Sequence, residues 1–146
     1  MPANWEKYAY FSKKLLVEWF ADVLIRIAQL NEWSEELKTP VTVWISGLFN
    51  PMSYLTAIMQ VTARATGMPL DDMCLKTDIL NTKNKAEFVE FAQTGAYING
   101  FFLEGAGWEA GRGGETGYLT DMILKELHPE VPIMHVTAIR KSERVT

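Results

Sequence analysis

Residues 41–67, VTVWISGLFNPMSYLTAIMQVTARATG, decide how this chain is read. The apolar stretch 41–45 is short and β-branched, which predicts a strand, and Ser46-Gly47 breaks it. Asn50 follows as a natural N-cap, because its side-chain oxygen can accept a free backbone N–H of the first helical turn. Pro51 fits the next position, where a missing N–H costs nothing. Apolar residues then recur at helical spacing until Gly67, and Pro69 stands just beyond it, the usual C-terminal punctuation. A strand, a turn and a capped helix are therefore expected, and none of them carries chemistry by itself.

A second helix precedes this unit. Over residues 10–33, Leu16, Trp19, Phe20, Val23, Leu24, Ile27 and Leu30 recur every three or four positions and form a broad apolar face. Such a helix is about 36 Å long at 1.5 Å per residue, enough to cross a small domain. It either packs on its own core or bridges to a neighbour. Trp5, Tyr8, Tyr10 and Trp33 add aromatic surface at its ends, as interface cores do.

Beyond Gly67 the pattern turns to strands. Met73, Leu75, Thr77 and Ile79 alternate with Cys74, Lys76 and Asp78, which predicts a half-buried strand over 73–79. Residues 85–94 are ambiguous, since Phe88, Phe91 and Ala92 also fit a short helical face. Residues 96–104 read as a strand in which Gly100 marks a bulge or a close backbone approach. The glycine-rich stretch 105–117 reads as a loop or a wide hairpin connection. Residues 118–127 and 133–139 look extended, and 140–146 polar and frayed. Helices first and strands later favour an α+β fold: a long N-terminal helix and a second helix packed on an antiparallel sheet or an incomplete β-barrel.

Composition narrows the function. The 146 residues are 48% hydrophobic, 12% aromatic and 22% charged, with mean hydropathy near zero, ample for one globular core. A net charge of −4 argues against nucleic acid or an anionic membrane as partner. No apolar run approaches the roughly 18 residues of a membrane span, and residues 1–11 lack the order of a signal peptide. Cys74 is the single cysteine, so no internal disulfide can form and a reducing, intracellular setting is expected.

Catalytic and ligand signals are weak. No GxxxxGK[ST] string occurs. Gly105, Gly107 and Ala110 satisfy G-x-G-x-x-G/A after a strand, and a nucleotide site over residues 105–111 is the alternative reading. That fingerprint requires a helix to carry the pyrophosphate, and Gly111, Gly113, Gly114 and Gly117 form helices poorly. His128 at a turn and His135 on a strand, with one cysteine, lack zinc-ligand spacing. Glu104 either ends a strand in solvent or anchors the following loop through hydrogen bonds. No catalytic residue, cofactor-binding residue or metal ligand is assigned.

Several segments resemble, in order, the C-terminal region of dynein heavy chains. Pro2-Ala3-Asn4-Trp5 through Tyr10, with Trp19, Leu24, Arg26 and Leu30 to Trp33, is similar to that family's helical link from the last AAA+ module. Trp44-Ile45-Ser46-Gly47-Leu48-Phe49-Asn50-Pro51 with Tyr54-Leu55-Thr56-Ala57 resembles its central motif. Met68-Pro69-Leu70-Asp71 and Leu75 continue it. Residues 95–106 (GAYINGFFLEGA) and Trp108 resemble a second motif, and Lys125-Glu126-Leu127, Pro129 and Val131-Pro132-Ile133 a further stretch. The similarity covers about residues 2–140 and leans toward axonemal, outer-arm chains.

The resemblance implies a helical link over 1–39 and an α+β domain with a partial barrel over 40–146, forming one unit overall. It implies a non-catalytic domain that packs against the AAA+ modules of its own heavy chain and modulates microtubule-based motor activity. No cofactor is implied. The other subunits of the dynein complex and microtubules would be partners only through the whole motor, and the setting is the cytoskeleton of the cytoplasm, cilium or flagellum. Trp44, Gly47, Phe49, Asn50, Pro51, Leu55, Gly100, Glu104 and Trp108 stand at the family's signature positions. Trp5, Tyr8 and Trp19 are candidates for contact with the ring. Gly107 departs from the family, which carries a basic residue before the tryptophan. The family also continues with further strands that complete its barrel, so an unpaired sheet edge is expected here.

Overall fold

The computed structural model describes residues 4, 15–101, 105–111, 117–121 and 131–144. Trp5, Tyr8, Glu104 and His128 lie outside the described residues, as do 10–14 of the expected first helix and 122–127 of an expected extended segment. The chain divides into two compact units, Met1–Thr39 and Pro40–Thr146.

In the first unit, helix α1 spans Leu16–Glu36, three residues further than the apolar periodicity suggests. The Glu18 carboxylate accepts the Leu15 N–H at 3.3 Å, so an acidic group serves the positive end of the helix. The helix ends where Leu37 turns left-handed, at φ 52° and ψ 28°. A leucine in that region strains its Cβ, and this side chain recovers nothing by burial, being 87% exposed. Pro40 disfavours further helix at the residue before it. Leu37→Gly is expected to stabilise the end of α1 by about 0.5–1 kcal/mol, seen as slower amide exchange in its last turn. Faster exchange would contradict the strain.

The second unit holds β1 (Thr42–Trp44), a 3-10 turn (Ile45–Gly47), α2 (Pro51–Thr66), β2 (Met73–Ile79), β3 (Ala96–Asn99), β4 (Ala106–Glu109), β5 (Tyr118–Asp121) and β6 (Met134–Arg140). The α2 boundaries follow the cap chemistry. Asn50 Oδ1 accepts the Ser53 N–H at 3.1 Å, Pro51 takes the first position, and Gly67 closes the helix at φ 69°.

Four strands form one sheet in the order β1-β3-β6-β2. The β6 strand runs antiparallel to both neighbours, from Met73↔Arg140 to Ile79↔Met134 on one side and Ala96↔Val136 to Ile98↔Met134 on the other. The expectation of an antiparallel sheet needs one correction: β1 pairs parallel with β3, Thr42 opposite Tyr97 and Trp44 opposite Asn99. Parallel neighbours require a crossover, and the chain between them supplies one in α2 and β2. Among the described residues the sheet ends at β1 and β2 and does not close into a barrel. Helix α2 packs on β2 and β6. Its Ile58, with Tyr54 and Leu55, meets Ile98, Met134 and Val136 in the core, while Leu75, Ile79 and Ala96 extend the same layer.

Two local expectations also change. Residues 85–94 contain only a 3-10 turn at Lys85–Glu87, capped by Asn84, whose side chain accepts the Ala86 N–H. Phe88 leaves any helical face to pack on Tyr97, ring centroids 4.7 Å apart. The glycine-rich stretch is not loop throughout: β4 lies inside it and pairs antiparallel with β5, Ala106 opposite Asp121 and Glu109 opposite Tyr118. Strand β3 ends at Asn99, short of the expected 104, because Gly100 leaves extended geometry at φ +72°. Among the described residues no helix is long and apolar enough to cross a membrane.

Candidate functional site: the Trp44 clamp and the start of helix α2

Trp44 is the last residue of β1, and its indole lies between two glycines distant in sequence. A Cβ built on Gly47 would stand 2.2 Å from Trp44 Cε3, and one on Gly100 would stand 2.1 Å from Cδ1. Contacts that close exclude any side chain, so the ring is seated directly on backbone at both places. The Ser46 hydroxyl donates a hydrogen bond to the Gly100 carbonyl, tying the turn after β1 to the chain leaving β3. Beside it Asn99 is buried. One aromatic plate, two glycines and a serine thus fasten the parallel β1–β3 pair at the end where both strands finish. The sequence singles out Trp44, Gly47 and Gly100 separately, and the structure brings them together. It adds Ser46 and Asn99, which the resemblance includes within its two motifs but which are not among the residues singled out.

The clamp feeds directly into α2. Asn50 and Pro51 set the helix start, and Leu55, one turn in, reaches the core layer. Phe49, between turn and helix, is 84% exposed. Trp108 stands apart from these in the two-stranded sheet, where its indole covers Gly117 so closely that a Cβ there would be 2.6 Å from the ring. Its neighbour Gly107 is buried. Of the three aromatic residues expected to contact a ring, Trp19 is half-buried on α1. Trp5 and Tyr8 fall outside the described residues and stay expectations from the sequence.

The chemistry of these groups is that of fastening. His135 lies within hydrogen-bond distance of the Thr94 carbonyl through Nε2, at 2.7 Å, and packs against Tyr97. Among the described residues no group of three histidine, cysteine or acidic side chains could hold a metal ion. Where the glycine pattern at 105–111 would need a helix, the chain forms β4. A cleft of about 290 Å³ is lined by Met68, Pro69, Asp72, Arg140, Lys141 and Ser142. Its two cations are engaged, Arg140 Nε with Met68 Sδ at 2.9 Å and Lys141 with the Asp71 carbonyl. Burial raises the Tyr54 hydroxyl pKa above its ordinary 10.0, which keeps it neutral against the core.

Comparison with known proteins gives these features a context. The family model for the C-terminal domain of dynein heavy chains matches residues 1–146. The ciliary dynein beta chain of Tripneustes gratilla is 44% identical over 139 residues, 95% of this chain and 3% of that protein. Human axonemal dynein heavy chain 9 is 45% identical over 139 residues, with the same shares. The flagellar outer-arm dynein beta chain of Chlamydomonas reinhardtii is 41% identical over 144 residues, 98% of this chain and 3% of that protein. The chain spans only 3% of the length of these relatives.

Proposed function

This chain belongs to the family of C-terminal domains of dynein heavy chains, and from that premise we propose that it is a non-catalytic part of an axonemal dynein heavy chain. In this reading it packs against the AAA+ modules of the same heavy chain and modulates the motor, while ATP hydrolysis and microtubule binding belong to other parts. The axoneme of a cilium or flagellum is its setting, as the relatives' names (ciliary, axonemal, flagellar) suggest. Other dynein subunits and microtubules are reached through the whole motor.

The observation that carries the reading is the apolar stripe of α1. Leu16, Phe20, Leu24 and Ile27 recur at helical spacing and are 38–54% exposed. Burying apolar surface is favourable by about 25 cal/mol per Å², so a stripe of this kind is suited to a protein partner. Trp19 on the same helix supplies an aromatic anchor of the type that dominates interfaces. Trp5 and Tyr8 keep the role of ring contacts within this proposal. The signature residues would hold the domain's shape: Trp44, Gly47 and Gly100 as the clamp, Asn50, Pro51 and Leu55 as the helix start, and Trp108 as the cover of β4–β5; Glu104 keeps its signature role as an expectation from the sequence.

The test is binding of the purified chain to a motor ring truncated before this region. Phe20→Asp with Leu24→Asp, both exposed positions, is expected to weaken binding by roughly a hundredfold, about 3 kcal/mol, with circular dichroism unchanged. Unaltered binding by the double variant would reject α1 as the contact.

A further inference from the structure

Of the six prolines in the chain, only Pro40 follows a serine or threonine. The pair Thr39-Pro40 comes just after the end of α1, where residues 37–41 belong to neither helix nor strand. Proline at 40 disfavours helical geometry at Thr39 and pushes it toward an extended conformation. Leu37 is 87% exposed and Lys38 is exposed, while Thr39 itself is half-buried. An extended hydroxyl residue, a proline without an N–H beside it and an open approach are what a proline-directed protein kinase requires of its substrate.

We propose that Thr39 is a phosphorylation site, and that its phosphate loosens the last turn of α1. In the transfer, Thr39 Oγ1 bonds to the γ-phosphorus of ATP as the bond from that phosphorus to the bridging oxygen of ADP breaks. The hydroxyl proton passes to a base of the kinase, and ADP leaves. The product carries a charge of about −1.5 to −2 at pH 7.

That charge falls at the unfavourable end of a helix. Helix α1 closes at Glu36, and its C-terminal carbonyls already carry partial negative charge. Its last turn contains no basic residue to offset them. Glu32 and Glu35 are exposed near the same end and add repulsion. Lys38 is the one cation between the helix and the site, a single charge against a group of nearly two. The left-handed Leu37 strains the same segment, so the turn is weakened before any phosphate arrives. Where α1 is the contact with the motor, a loosened α1 is a weaker contact. That consequence rests on the proposed function, whereas the modification and its effect on the helix do not.

Incubation of the full 146-residue chain with a mitogen-activated protein kinase and Mg-ATP, followed by mass spectrometry, tests the site. One phosphoryl group is expected at Thr39, retained in Thr39→Ser and lost in Thr39→Ala and Pro40→Ala. Amide exchange of the modified chain tests the consequence. Exchange over residues 33–36 is expected to rise roughly two- to tenfold. The rise should shrink at about 1 M salt, where the Debye length falls to about 3 Å. Thr39→Glu, with a smaller charge, should give a smaller rise without any kinase. No transfer to the folded chain, transfer that survives Thr39→Ala, or exchange indifferent to the phosphate would overturn the proposal.

Discussion

Gly100→Ala is expected to destabilise the second unit by about 2–5 kcal/mol, the sum of left-handed strain of about 1–2 and over-packing of about 1–3. Gly100 stands at φ +72°, and its new methyl would meet the Trp44 indole at 2.1 Å from Cδ1 and 2.3 Å from Nε1. Gly47→Ala isolates the second cost, since it meets the same ring at 2.2 Å from Cε3 without a left-handed backbone. It should lose about 1–3 kcal/mol. The clamp makes a stricter prediction through a double-mutant cycle. In a Trp44→Ala background the Gly47→Ala penalty should fall to near zero, while Gly100→Ala should keep about 1–2 kcal/mol of backbone strain. Urea denaturation of the parent, the single variants and the two double variants measures this. Additive losses would mean that the indole does not sit on both glycines.

Gly95→Ala should be more damaging, by about 4 kcal/mol or more, a large share of the ~5–15 kcal/mol of a typical domain. Gly95 precedes β3 at φ +75°, and a Cβ there would lie 2.0 Å from the Val136 carbonyl oxygen and 2.9 Å from its carbon. Those atoms are backbone and cannot rotate away as an indole can. Relief requires β3 to part from β6 at Ala96↔Val136, beside the core that Val136 anchors. Expression of Gly95→Ala with a nearly unchanged urea midpoint would contradict the tight approach of these two strands.

Much of the fold was legible where local chemistry decides it. Asn50, Pro51 and Gly67 mark α2 because caps act within one turn, and the alternation of residue types from Met73 to Ile79 marks β2 although burial along it does not alternate strictly. The parallel partnership of β1 with β3 was not legible, since Trp44 and Asn99 meet only through a crossover that no local pattern encodes. The β4 strand was hidden by its glycines: Gly105 and Gly107 read as loop, and only pairing with β5 makes Ala106–Glu109 extended. Phe88 and Phe91 suggested a helical face because spacing cannot tell a helix from a turn whose Phe88 is drawn onto Tyr97. Of the candidate site, resemblance pointed to Trp44, Gly47 and Gly100 as residues, and the three-dimensional structure supplied the reason they belong together. The partner of Ser46 was not legible, because the Gly100 carbonyl that its hydroxyl reaches is 54 residues away.

The most direct test of the proposed role is the microtubule-stimulated ATPase rate of a motor ring truncated before this region, with and without the purified chain. The chain is expected to bind and change the rate, Phe20→Asp with Leu24→Asp to abolish the change, and the chain alone to hydrolyse no ATP. A rate indifferent to saturating chain, or hydrolysis by the chain itself, would contradict that role.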